Sequence, residues 1–317
     1  METKSITDYK DRIMDTCRRI IVGKDEVIEK VLITFLCSGH VLLEDLPGTG
    51  KTMLLRAFAA GIGGSFRRIQ FTPDLLPSDL TGINFYNQKT GEFEFRPGPV
   101  FANMILADEI NRATPRTQSG LLECMEERQI TTDGVTRKLA EPFFVIATQN
   151  PVETSGTFPL PEAQLDRFLM KLSLGFPDKT EEIAIMGRFL RDDPLAETAA
   201  VAGTEDVIAA RKEARRVDVG PEMMGYIADI VMATRERRDL AAGVSPRGTL
   251  ALLHSAQTLA WLNGRSYVVP EDIKALAVPV LAHRLIPAQS YGYYLGQEKV
   301  MEEVLDMVPV PTEQFER

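Results

Sequence analysis

Cysteine is scarce in this chain of 317 residues, with only Cys17, Cys37 and Cys124. Their spacing matches neither a disulfide framework nor a metal-binding pattern, so reduced and partly buried thiols in a cytoplasmic protein are expected. His40, His254 and His283 are isolated from one another, which argues against a histidine metal centre. No apolar run approaches the ~18 residues that a membrane-spanning helix needs. The first residues, Met1-Glu-Thr-Lys-Ser-Ile-Thr-Asp8, lack the apolar centre of a secretory signal. Positive charge is not in surplus either. A net charge of −9 counts against broad binding to duplex nucleic acid, which needs clustered Lys and Arg to displace counterions. It leaves room for a local basic groove or for a protein partner with a positive face.

What is present is an ordinary globular composition, 44% hydrophobic and 26% charged, with length enough for two domains. The chain is organised around Val41-Leu-Leu-Glu-Asp-Leu-Pro-Gly-Thr-Gly-Lys-Thr52. An apolar strand, a loop with two glycines and an amphipathic helix follow in the order that phosphate binding requires. Gly48 and Gly50 let the backbone turn tightly and bring N–H groups up to phosphate oxygens. Pro47, Thr49 and Met53 complete the stretch. Lys51 can reach the β- and γ-phosphates, the Thr52 hydroxyl can ligate Mg2+, and the helix start adds its positive dipole end. Asp45 stands where the usual pattern has a glycine; aspartate tolerates turn conformations better than most residues. An ordinary Gly-rich turn before a helix is the alternative, and Gly-Lys-Thr in this context makes it improbable. A nucleoside triphosphate is the expected ligand.

Upstream, residues 8–38 read as helices, broken at Ile20-Ile-Val22-Gly23-Lys24. Val22 and Gly23 lie where an adenine pocket would be convenient; a helix C-cap with core residues is an equal alternative. Downstream, strands are expected at 66–71, 103–109, 143–148 and 170–174, with a helix at 114–127 between them. Hairpins are expected at 83–95 and 129–138, the second around Asp133-Gly134. Alternating strands and helices predict an α/β domain with a parallel sheet covered on both faces, over residues 1–176. Only helical periodicity follows, which predicts a smaller all-α domain over 177–317, with helices near 180–191, 204–215, 221–236, 246–263 and 270–284. Asp178 or Thr180 fits the N-cap of its first helix.

Polar residues recur where α/β sheets place their ligands, at strand and helix ends. Asp108 closes an apolar strand and suits Mg2+ held through water. Glu109, beside it, can polarise an attacking water as general base. Asn150 ends the next strand and can orient that water, although an Asn before a Pro is common in turns. Arg167 has a plainer reading as an ion-pair partner of Asp166 or Glu162. Arg247, opening a helix after Ser245-Pro, has one as a solvent-facing side chain.

These segments occur in one order: the phosphate loop, Ala107-Asp-Glu-Ile-Asn-Arg-Ala113, Ala147-Thr-Gln-Asn-Pro151, Leu160-Pro-Glu-Ala-Gln-Leu-Asp-Arg-Phe168 and Ser245-Pro-Arg247. With Gln70-Phe-Thr-Pro-Asp-Leu-Leu-Pro-Ser-Asp-Leu-Thr-Gly82, the chain resembles the MoxR family of AAA+ ATPases over roughly residues 20–287. The resemblance implies ATP and Mg2+ as ligands. It implies Lys51 and Thr52 as Walker A, Asp108 and Glu109 as Walker B, Asn150 as sensor 1, Arg167 as arginine finger and Arg247 as the sensor 2 arginine, expected near the nucleotide. The hairpins look like insertions that face the pore or the client. An arginine finger in this class comes from the neighbouring subunit, so a homo-oligomeric ring, usually a hexamer, is implied. So are a protein client and a partner with a von Willebrand factor A domain. Protein remodelling or assisted metal insertion is the expected activity. A nucleic-acid motor or loader, a magnesium-chelatase-like subunit and a nucleotide-gated scaffold are the alternatives on the same core.

Overall fold

The structure is a computed structural model that describes residues 3–46, 48–151, 156–190, 195, 200–288 and 296–311. The chain opens with α1 (Thr3–Ile20), α2 (Asp25–Leu36), β1 (Val41–Glu44), α3 (Lys51–Ile62), β2 (Phe66–Gln70) and a short α4 (Pro77–Thr81). The hairpin β3 (Gly82–Asn87) and β4 (Glu92–Pro97) leads to β5 (Met104–Asp108) and α5 (Pro115–Glu127). A second hairpin, β6 (Gln129–Thr132) and β7 (Val135–Lys138), precedes β8 (Phe144–Gln149), a one-turn α6 (Glu162–Leu165) and β9 (Met170–Leu172). Beyond these come α7 (Lys179–Phe189), α8 (Thr204–Ala214), α9 (Pro221–Glu236), β10 (Leu240–Ala242), α10 (Pro246–Leu262), α11 (Pro270–Leu281), β11 (Ile286–Pro287) and α12 (Gln297–Met307).

Five strands form one parallel sheet in the order β2-β5-β8-β1-β9. Their apolar runs are continuous because both faces are covered. Successive side chains point to opposite faces. Val41 and Leu43 therefore join Leu54, Phe58, Phe144 and Ile146 on one side, and this cluster continues into Trp261 and Leu276 of the later helices. Leu42 joins Ile105, Ala107, Val145 and Phe168 on the other. The α/β domain and the helical lid thus share apolar packing.

Local chemistry sets the element ends. Asp133 and Gly134 turn the second hairpin with φ of 52° and 76°, as an Asp-Gly type I′ turn requires. Asp178 caps α7: its Oδ1 accepts from the Glu181 amide at 2.8 Å, and Glu181 Oε2 accepts from the Asp178 amide at 2.9 Å. The helical second half departs in places from pure helical periodicity. β10 and β11 pair antiparallel, Leu240 with Pro287 and Ala242 with Ile286. Strands of two or three residues leave no periodic trace in sequence.

Candidate functional site

The phosphate loop joins the end of β1 to α3. Gly48 and Gly50 have φ of 87° and 91°, a left-handed region costly for any side chain, and a Cβ added at either would meet nothing within 4 Å. The concave side of the loop is therefore open backbone at a helix start, a fit for phosphate oxygens. The Lys51 ammonium folds back onto the Asp45 carbonyl at 2.9 Å and the Leu46 carbonyl at 3.1 Å. Both contacts are ones that a phosphate can replace. Thr49 Oγ1 donates to the same Leu46 carbonyl at 3.3 Å, and Thr52 and Met53 begin the helix half-buried. Pro47 lies outside the described residues.

Asp45 corrects the reason given for its presence. It does not adopt a left-handed turn; its buried carboxylate is an acceptor. Oδ1 takes the Ser173 hydroxyl at 2.7 Å and the Gly175 amide at 3.0 Å, and Oδ2 takes the Leu174 amide at 2.8 Å.

The two acids close β5, next to β8. Asp108 Oδ1 accepts from Thr148 Oγ1 at 2.7 Å, and the same hydroxyl accepts the Glu109 amide at 2.9 Å. Asp108 Oδ2 is paired with Arg68 at 2.5 Å. Glu109 is held at φ 56°, uncommon for a residue with a Cβ. Its Oε2 receives Gln70 Nε2 at 2.7 Å and Arg112 Nε at 3.0 Å. Both bonds fall on one oxygen, which leaves Oε1 to take a proton. β8 runs between β1 and β5, so Asn150, just past its end, sits between the phosphate loop and the acid pair. The Thr52 hydroxyl and the Asp108 carboxylate are hard oxygen donors, the type Mg2+ takes.

Sequence reading missed Arg68, Gln70, Arg112 and Thr148. Gln70 and Arg112 fall inside the quoted segments, and Thr148 lies two residues before Asn150. A hydrogen bond between strands far apart in sequence, however, has no signature along the chain.

Val22 and Gly23 sit between α1 and α2, against the start of α7. Gly23 has φ 68°, and a Cβ there would fall 1.7 Å from Glu181 Oε1. Lys24 donates to the Phe176 carbonyl at 3.3 Å and pairs with Glu181 at 3.3 Å. Phe176 follows Gly175, which Asp45 holds, so these residues border the same cleft as the phosphate loop.

The two candidate arginines lie elsewhere. α5 starts beside the acids and runs back along the sheet for 13 residues, about 20 Å. Its last turn lies near the start of the strands: Arg128 donates to the Ser38 carbonyl at 2.7 Å, and the His40 ring bonds the Met125 carbonyl at 3.1 Å. Arg247, in the first turn of α10 behind its Ser245 cap, pairs with Glu126 of that last turn. It was expected near the nucleotide; in this structure its partner is at the opposite end of the sheet. Arg167 precedes β9 at the same end, where it lines a cavity of about 500 Å³ with Glu123, Glu127 and Gln164. Its plainer reading does not hold, because the Asp166 carboxylate is taken by Arg284. No ion pair of Arg167 is found among the described residues.

The buried histidines are structural. His40 accepts the Val145 amide on Nδ1 at 3.0 Å, and burial pushes its pKa down to about 3. No helix among the described residues is long and apolar enough to cross a membrane, and no group of three or more metal-ligating side chains occurs among them.

The chain matches the family described as "ATPase family associated with various cellular activities (AAA)" over residues 40–170, and the AAA lid domain over residues 232–303. It is 41% identical over 311 residues to the protein named Chaperone MoxR1 of Mycobacterium tuberculosis, covering 95% of this chain and 82% of that one. Protein MoxR of Paracoccus denitrificans is 34% identical over 343 residues, covering 97% and 98%. A crystal structure of a candidate ATPase from Cytophaga hutchinsonii superposes with a TM-score of 0.91 at 39% identity, covering 98% of this chain and 97% of that one. Phosphate loop, paired acids and helical lid occur together in one chain whose relatives are matched along 82% and 98% of their length, and the protein belongs to the MoxR family of AAA+ ATPases.

Proposed function

We propose that this chain hydrolyses ATP with Mg2+ as part of a ring of identical subunits, a hexamer, and uses the cycle to remodel or mature a protein client. Residues 1–176 form the nucleotide-binding domain and 177–317 the lid. The observation that carries this reading is the position of Arg167: it has no ion-pair partner among the described residues and lies at the end of the sheet away from Lys51, Asp108 and Glu109. A finger placed there reaches ATP only in a neighbouring chain.

Within one chain, the loop amides and Lys51 bind the β- and γ-phosphates, and Val22 and Gly23 border the base. Thr52 and Asp108 would hold Mg2+, which would supply positive charge against the phosphates. Glu109 takes a proton from the attacking water on Oε1, and Gln70 and Arg112 fix its carboxylate through Oε2. Asn150 orients that water. Arg167 from the neighbour stabilises charge on the transferring phosphoryl group, and Arg247 works on that same face.

Client contact falls to the two hairpins, which form one surface. Asn84 of β3 donates to Asp133 at 2.5 Å, and Arg137 of β7 lies 3.8 Å over the Phe95 ring. Tyr86 and Phe93 pack together at 5.4 Å and stay exposed, as a grip on an unfolded segment requires. A von Willebrand factor A domain protein is the proposed companion, and metal insertion one outcome of the client's maturation.

Mixing defective chains tests the reading. Arg167→Ala should bind ATP and lose roughly 10³-fold in turnover, in line with other arginine fingers. Glu109→Gln should bind ATP and lose most of its turnover. Mixed together, the two should regain activity at boundaries that join an intact Glu109 to an intact neighbouring Arg167. A mixture that forms mixed rings and stays inactive overturns the assignment.

A further inference from the structure

The segment between Arg167 and Gly175 is bonded at both of its ends, and its two ends belong to different sites. At the finger end, Arg284 reaches in from the turn after α11, buried among lid residues. Its Nη1 donates to the Asp166 carbonyl at 2.8 Å and also pairs with the Asp166 carboxylate. Its Nη2 donates to the Phe168 carbonyl at 2.8 Å, and its Nε to the Val280 carbonyl at 2.8 Å. The backbone on both sides of Arg167 is thereby fixed, while no ion pair of Arg167 itself is found among the described residues.

From there the chain is tied to the phosphate-loop strand residue by residue. The Leu169 amide donates to the His40 carbonyl at 2.8 Å, and Met170, Lys171 and Leu172 pair with Val41, Leu42 and Leu43. At the far end the Asp45 carboxylate holds Ser173, Leu174 and Gly175. Asp45 is the first residue of the phosphate loop, and its own carbonyl holds the Lys51 ammonium at 2.9 Å. Phosphate bound at the loop competes for that ammonium and releases the carbonyl. One residue therefore senses the loop with its backbone and grips the finger strand with its side chain. The run 169–175 covers about 20 Å when extended, enough to join the two ends of the sheet.

We propose that Asp45 is a positioning residue that couples occupancy of a chain's own phosphate loop to the finger, Arg167, which the chain presents to its neighbour. The proposal rests on the finger acting across the subunit boundary. It gives a reason for aspartate at a position where phosphate loops usually carry glycine: a glycine there has no carboxylate for the finger strand. Coupling of this kind travels through contiguous hydrogen-bonded elements and is established only by an energetic test.

The mixed ring supplies that test, because it separates the chain that gives the active site (Arg167→Ala) from the chain that gives the finger (Glu109→Gln). Asp45→Asn is placed in one chain or the other, and kcat and KM for ATP are measured on rings shown by native mass spectrometry to be mixed. In the finger donor, Asp45→Asn should lower kcat of the restored activity at least tenfold, with little change in KM. The loss of kcat should be at least fivefold greater there than when the same substitution sits in the site donor. Ser173→Ala, which removes one of the three bonds and disturbs the loop less, should give the same asymmetry at smaller size. Equal losses in both placements, or a loss confined to the site donor, overturn the coupling and leave Asp45 as local support for the loop. If the parental mixture shows no restored activity, the neighbouring finger itself is refuted, and the coupling falls with it.

Discussion

The two ends of the five-stranded sheet are finished to different degrees. At the end where the strands terminate, charged groups of the candidate site already have partners within the chain: Lys51 on loop carbonyls, Asp108 on Thr148 and Arg68, Glu109 on Gln70 and Arg112. At the end where the strands begin, Arg167 faces a cavity with no ion pair among the described residues, and Arg247 is held by one exposed carboxylate. Partnered charges describe a site that one chain can assemble and keep in order. An unpartnered arginine with its flanking backbone locked by Arg284 describes a group prepared for something outside the chain. Desolvation makes such preparation costly inside a protein, so Arg167 stays partly exposed while Arg284, which holds its flanking backbone, is buried.

Large effects are expected at the finished end. Glu109→Gln should bind ATP and lose about 10²- to 10⁴-fold in turnover, the usual contribution of a positioned base. Lys51→Ala removes a charge-assisted contact worth about 2–3 kcal/mol, so binding should weaken roughly 30- to 150-fold by titration calorimetry. Turnover by Glu109→Gln at the parental rate would show that the partnered carboxylate is only scaffolding.

Acid should act on the unfinished end first. His40 precedes β1 and His283 bonds the Phe168 carbonyl at 3.1 Å, so both support the finger segment. Burial, aided at His283 by Arg284, lowers each pKa from 6.5 to about 3. Both rings are neutral in the folded chain, while the unfolded chain protonates them below pH 6.5. Their contribution is therefore complete above pH 6.5 and is lost as pH falls from there towards about 3. Between pH 7.5 and 5.5 each histidine should remove about 1.4 kcal/mol, read from urea midpoints at constant m. His40→Gln and His283→Gln should each flatten that slope. Equal slopes in both variants and the parent would assign the acid sensitivity elsewhere.

Legibility in sequence follows the same division. Strands near 41–44, 104–108, 144–149 and 170–172 were readable because burial on both faces demands uninterrupted apolar runs. The Asp133-Gly134 turn and the Asp178 cap were readable because each rests on backbone conformations that few residues supply. Helices of the second half appear within a few residues of their expected limits, except that α12 was not anticipated. The phosphate loop, the acid pair and the Arg167 segment were legible as motifs, since each lies within a short stretch of chain. What joins them was not. Arg284 to Asp166 spans 118 positions, Asp45 to Ser173 spans 128, and Arg68 to Asp108 spans 40. A contact across such separations depends on strand order, and strand order is fixed by packing that no local pattern records. The placement of Arg247 was missed for the same reason: an arginine at a helix start reads identically whether its helix leans over the nucleotide or against the last turn of α5.

The smallest expected effect concerns that arginine. Arg247 and Glu126 are 45% and 40% exposed in their side chains, so water screens the pair and each side chain gives up rotamer freedom to form it. Arginine in the first turn of α10 also meets the positive end of the helix dipole, which offsets part of the attraction. Glu126→Gln should accordingly change stability by no more than ~0.5 kcal/mol. The melting temperature should move by roughly 1–2 °C and depend little on salt. If Arg247 is held there only until a neighbour's nucleotide arrives, ATP turnover in the ring should not fall when Glu126 is neutralised. A loss above ~1.5 kcal/mol with strong salt dependence would mean something different. The pair would then be a latch between lid and α5, and the end of the sheet assigned to a neighbour would be completed within the chain after all.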